Sequence, residues 1–120
     1  GLVVNWEPVR RMGLLVDPMM MSCKAAIDAT GHDSEIVRQL QKRDYIKLNT
    51  PTGRILGEGP MWADKGEEEI LACTKEVYPG LYVSGMAATA VYGKPRMGPV
   101  FGGMLLSGRK VADDIIDKIM

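Results

Sequence analysis

Apolar residues in this chain fall into short runs divided by proline, glycine and charge, with no long uninterrupted stretch. Residues 2–6 read as a strand ended by Pro8, which has no N–H to give a ladder. Residues 13–17 form a second apolar run, and Pro18 holds Asp17 extended at its end. Met19, Met20 and Met21 read as soft filler for a core or an interface. Residues 25–29 predict a third strand, running into a turn at Thr30-Gly31-His32-Asp33. A helix follows over 34–43, with Asp33 as its N-cap, Glu35 in its first turn, and Ile36, Val37 and Leu40 on one face.

The pattern loosens over 45–61, where Asn49–Gly53 and Gly57–Pro60 carry turn chemistry and 46–48 suits a short edge strand. The run Gly57-Glu58-Gly59-Pro60 fails the dinucleotide-loop pattern, so no phosphate role is assigned to it. Residues 64–77 predict a helix with Ile70, Leu71, Thr74 and Val77 buried and Glu67, Glu68 and Glu69 in its early turns. Pro79-Gly80 stops it, and 81–83 is a short buried strand. The last helix spans about 102–120, with Leu105, Ala112, Ile115, Ile116 and Ile119 as its apolar stripe. Gly103 and Gly108 weaken that helix, which suggests close packing there against a strand or a ligand.

Strands separated by helices make this an α/β chain, one domain over 1–120. Its abrupt start on an apparent strand suggests the C-terminal part of a longer protein. The organising stretch is 81–108, which holds Gly85, Gly93, Gly98, Gly102, Gly103 and Gly108. A strand, a glycine-rich turn and a helix start can hold an anion, but this turn lacks a full G-x-G-x-x-G, so composition alone favours a tight connection with no ligand.

Composition narrows the partners. Fifteen basic and fifteen acidic residues cancel, so no excess of positive charge points to nucleic acid. No apolar run approaches membrane-spanning length, and no signal peptide is evident. Cys23 and Cys73 are too few for a disulfide framework, which suits a cytoplasmic setting.

Candidate chemistry is sparse. The single histidine, His32, sits in a strand-to-helix turn, and Asp17 also ends an extended segment, so both suit one sheet edge. Alone they are a weak metal pair, because further ligands would have to come from elsewhere. Arg96 follows Pro95 beside Lys94 and facing the glycines. It is either a solvated surface arginine or a planar fork for a carboxylate or phosphate. Neither cysteine has a His or Lys beside it to make it a nucleophile.

Two runs carry a resemblance to a known family: residues 80–87, GLYVSGMA, and residues 95–108, PRMGPVFGGMLLSG. With Val3-Val4-Asn5-Trp6, Val16-Asp17-Pro18, Asp28-Ala29-Thr30-Gly31-His32-Asp33 and Met61-Trp62-Ala63, they resemble the C-terminal region of thiamine thiazole synthases, the archaeal and bacterial form above all. The resemblance covers nearly the whole chain. It implies a partial glutathione-reductase-like, Rossmann-type dinucleotide-binding fold whose N-terminal βαβ unit has no counterpart here.

The resemblance also implies a role in thiamine biosynthesis, in which NAD, as substrate, is combined with glycine and sulfur to make an adenylated thiazole with Fe(II). Asp17 and His32 match the iron ligands, which are catalytic and contributed by neighbouring protomers of a homo-oligomer. Leu15, Val16, Asp17 and Met86 match positions that contact NAD. Arg96, with Met97 and Gly98, matches the segment that holds the glycine carboxylate. In the eukaryotic branch the residue two before this aspartate is a cysteine that gives up its sulfur, and archaeal relatives usually carry histidine there. Leu15 can neither donate sulfur nor bind metal, so sulfur must arrive as free sulfide. The alternatives are a flavin- or NAD-dependent oxidoreductase fragment of the same fold, or a non-catalytic fragment whose apolar edge serves assembly.

Overall fold

A computed structural model describes residues 1–120. Five strands and five helices are present: β1 Leu2–Val4, α1 Glu7–Arg11, β2 Met19–Met21, β3 Ala26–Asp28, α2 Glu35–Gln41, α3 Ala63–Cys73, β4 Lys75–Tyr78, β5 Leu81–Val83, α4 Met86–Val91 and α5 Gly102–Ile119. The α/β reading holds, with mixed rather than purely parallel pairing. β5 lies between β3, to which it is parallel, and β4, to which it is antiparallel.

β1 and β2 form a separate antiparallel ribbon, with Val3 opposite Met20. Proline ends β1 as expected but then opens the short helix α1, a position where its missing N–H costs nothing. No residue of α1 is buried, so it has no apolar stripe by which to be recognised. Glu7 holds it with ion pairs to Arg10 and Arg11, one turn away. Residues 13–18 are no strand: they lie exposed, and pairing resumes only beyond Pro18, at the three methionines. Those methionines are exposed too, so within this chain they are not core filler.

The core lies between the three-stranded sheet and the helices. Val37, Ile46, Leu48, Cys73, Val77, Leu81, Val83, Ala88, Val91 and Tyr92 form one buried cluster. Residues 46–48 are not a strand, but Ile46 and Leu48 are buried in that cluster. The helix expected over 64–77 stops at Cys73, and Val77 belongs to β4, which turns back through Gly80 (φ 83°) into β5. Leu71, placed in the buried stripe by its spacing, is exposed. Directly after β5 comes α4, six residues where a loop was expected; five of the six are buried.

α5 has its expected bounds but turns the other way. Its inward residues are the small ones, Gly103, Ser107 and Val111, while Leu105, Leu106, Ile116 and Ile119 are exposed. Gly103 explains the choice: a Cβ there would stand 2.9 Å from Glu67 Cγ and 3.3 Å from Ile70 Cγ2. At Gly103, α5 is thus pressed onto α3. Gly108 faces open space, so close packing does not account for it. Ser107 Oγ, fully buried, meets Thr74 Oγ1 at 2.5 Å and Ser84 Oγ at 3.2 Å, and accepts the Gly85 N–H at 2.9 Å. The far end of α5 is pinned by Lys118, which donates to Glu76 at 2.5 Å. That hydrogen bond holds the Glu76 carboxyl below its ordinary range and pushes the Lys118 ammonium up. No helix is long and apolar enough to cross a membrane.

Candidate functional site

The site grows from the C-terminal ends of the parallel pair β3 and β5, where Asp28 stands beside Val83. Asp28 is fully buried and works as scaffold. Its Oδ1 accepts the N–H and the hydroxyl of Thr30, and its Oδ2 accepts the Val37 N–H at 2.9 Å. Thr30 Oγ1 in turn accepts the Glu35 N–H at 2.8 Å. The first turn of α2 is therefore capped from the strand end. Asp33 is not the cap: Ser34 holds that position, in a left-handed conformation (φ 43°). Ser34 spends its hydroxyl on the Ala87 carbonyl, tying the turn to α4. His32 rides on this braced turn, and Met86, the first residue of α4, lies on the element tied to it.

A second segment reaches the same place. Residues 59–62 run beside 94–96: the Gly59 N–H donates to Lys94, the Arg96 N–H to Pro60 and the Trp62 N–H to Arg96. This ladder carries Glu58 to both His32 and Arg96. His32 Nδ1 donates to Glu58 Oε2 at 2.6 Å, and Arg96 Nε lies 3.6 Å from the same oxygen. A carboxylate only accepts, so the proton sits on Nδ1 and the Nε2 lone pair is left for a ligand or a proton. Arg96 Nε is buried and has no hydrogen-bond partner, which makes it a donor without an acceptor. Lys94 takes a different direction, 4.0 Å from Glu69.

Two glycines allow the approach. A Cβ at Gly66 would meet the Pro95 carbonyl oxygen at 2.8 Å, and one at Gly98 (φ 66°) would meet Met61 Sδ at 2.9 Å. Met97 packs its side chain, fully buried, against Gly66 and Gly103, so only its backbone can face a substrate. Of the two readings of the glycine-rich turn, an anion cradle or a tight connection, the start of α5 fits the second: the Gly103 N–H already donates to Glu67 at 3.1 Å.

Leu15, Val16 and Asp17 do not join this cluster. They lie on the exposed segment between α1 and β2, and Asp17 has no hydrogen bond or ion pair within the chain. No three His, Cys, Asp or Glu side chains gather closely enough to hold a metal ion. Cys73 is buried, which pushes its thiol up and away from thiolate chemistry; Cys23 is exposed. Glu58 is the residue the sequence reading passed over. Its only signal in the sequence is an acid between two glycines, in a run that fails a nucleotide motif. A cleft of about 590 Å³, lined by Leu2, Ala26, Leu40 and Tyr78 among others, opens near the starts of β3 and β5, away from the site.

Comparison with known proteins covers nearly the whole chain. Residues 1–101 match the model of the Thi4 family. The chain is 59% identical to the thiamine thiazole synthase of Methanothermobacter thermautotrophicus, over 99% of this chain and 46% of that protein. It is 56% identical to that of Thermococcus kodakarensis, over 99% of this chain and 45% of that protein. The crystal structure of Thermovibrio ammonificans THI4 superposes with a TM-score of 0.92 at 55% identity, covering 99% of this chain and 45% of that one. The chain thus spans just under half the length of the relatives it matches.

Proposed function

The chain belongs to the Thi4 family, and on that premise we propose that it is the C-terminal part of a thiamine thiazole synthase. The enzyme would act in thiamine biosynthesis, making an adenylated thiazole from NAD, glycine and free sulfide with Fe(II). The observation that carries this reading is the meeting of His32 and Arg96 on one carboxylate at the sheet edge, one with a free Nε2, the other with an unanswered buried donor.

Arg96 takes the carboxylate of glycine. A planar guanidinium grips two carboxylate oxygens, and its buried Nε gains the acceptor it lacks. Gly98 (φ 66°) turns the segment just after Arg96 at a point where a Cβ would meet Met61. Met86, at the start of α4, and Leu15, Val16 and Asp17, on the exposed segment, contact NAD.

The donor types fit Fe(II): an imidazole nitrogen from His32 and a carboxylate from Asp17. When bound, iron supplies a Lewis acid able to hold sulfide. One copy of the chain does not gather three such donors, which suits an ion held by His32 and the Asp17 of a neighbouring protomer, with substrate or water as the remaining ligands. The exposure of Leu14, Leu15, Val16, Met19, Met20 and Met21 around that aspartate supports a homo-oligomer that covers them. Leu15 offers no sulfur and no metal-binding atom, which supports sulfide as the external source. Both cysteines are free, as suits a cytoplasmic enzyme.

The test is iron binding by the anaerobic full-length protein. Asp17→Asn and His32→Ala should each lose most bound Fe(II), and unchanged iron in both variants would overturn the assignment.

A further inference from the structure

We propose that Glu58 is a positioning residue for this site: its carboxylate fixes His32 so that Nε2 is the nitrogen presented to a metal, and it sets Arg96 beside that imidazole. The inference rests on the site reading above, in which His32 is a metal ligand. Three observations carry it. A single oxygen, Oε2, serves both partners, at 2.6 Å from His32 Nδ1 and 3.6 Å from Arg96 Nε. His32 and Arg96 stand on elements far apart in sequence, and Glu58 is the side chain that reaches both. Finally, Glu58 is not a freely moving surface acid.

That last point separates it from an ordinary exposed ion pair, which contributes little. Gly57 takes a φ of 85°, and a Cβ at Gly59 would stand 3.2 Å from the Lys94 carbonyl carbon and oxygen. On one side of Glu58 the Gly59 N–H donates to the Lys94 carbonyl, and on the other the Leu56 N–H donates to the Val91 carbonyl of α4. His32 is fixed from its own side by the buried Asp28 and by Ser34. Two braced backbones therefore meet through one carboxylate, at side chains about one-third exposed. A carboxylate on the second nitrogen of a metal-bound histidine fixes the tautomer, aims the ring and raises its basicity. The distance from Arg96 Nε is too long for a hydrogen bond, so Glu58 holds the guanidinium by charge and leaves its Nε donor unspent.

The experiment measures Co(II) affinity, with Co(II) as an optical stand-in for Fe(II), in the anaerobic full-length protein. Glycine KM and kcat are measured alongside. Glu58→Ala should weaken Co(II) binding by about tenfold to a hundredfold and raise the KM for glycine more than it lowers kcat. Glu58→Gln keeps an oxygen acceptor for Nδ1, so it should restore Co(II) affinity to within about threefold of the parent. That rescue also shows that the alanine effect is not a failure to fold. His32→Ala is measured in parallel. If it loses Co(II) while Glu58→Ala keeps full affinity, the role given to Glu58 is wrong and the site reading stands. If His32→Ala also keeps full affinity, the site reading fails and this inference falls with it.

Discussion

The Gly85 N–H donates at 2.9 Å to Ser107 Oγ, so the turn that ends β5 is held by a buried hydroxyl on the last helix. Thr74 and Ser84 share the same oxygen. The start of α4, and Met86 with it, is thus set by α5. Ser107→Ala would leave these buried groups without their common partner. It should lower stability by about 1–3 kcal/mol, read as a fall in the urea midpoint of the full-length protein. An unchanged midpoint would mean that the three groups find other partners.

Arg96→Lys keeps the charge and loses the fork. The KM for glycine should rise by about tenfold or more, since a two-point hydrogen bond becomes a point charge, while the KM for NAD changes less. Steady-state kinetics with each substrate varied in turn provides the check. Equal changes for both substrates would remove Arg96 from the glycine site.

Burial pushes the Tyr92 hydroxyl up to about 12, and the hydroxyl donates to the Asn49 carbonyl at 2.9 Å. The neutral form is favoured in the fold, so the stabilisation is complete below pH 10, the ordinary tyrosine value, and is lost as pH rises toward 12. The loss approaches about 1.4 kcal/mol per pH unit across that window. Burial of the Cys73 thiol acts in the same direction from its ordinary 9.0 upward. Tyr92→Phe should flatten the tyrosine share of this slope in unfolding curves taken between pH 9 and 11.5. A slope identical to that of the parent would show that Tyr92 ionises as freely in the fold as outside it.

The elements that depend on local pattern were legible in the sequence. β3, β5, α2 and α5 fall where alternation and helical spacing placed them, to within a residue or two at most ends. α1 was not, because nothing in it is buried, and α4 was not, because a six-residue helix of mostly small residues has no amphipathic signature. The inward face of α5 was misjudged for a physical reason. Close approach to α3 requires small residues, so Gly103 and Ser107 face in and the isoleucines face out. At the site, His32 and Arg96 could be singled out by residue type. Their meeting through Glu58 could not, because it depends on the ladder between 59–62 and 94–96, a pairing of two segments with no strand pattern of their own.

Turnover with and without added sulfide decides whether the proposed thiazole synthase takes its sulfur from free sulfide. The anaerobic full-length protein is given NAD, glycine and Fe(II), with and without sulfide, and both product and protein are followed by mass spectrometry. Adenylated thiazole should form over many turnovers with sulfide and not at all without it, with Cys23 and Cys73 unchanged in mass. A single turnover without sulfide, leaving either cysteine as dehydroalanine, would contradict it.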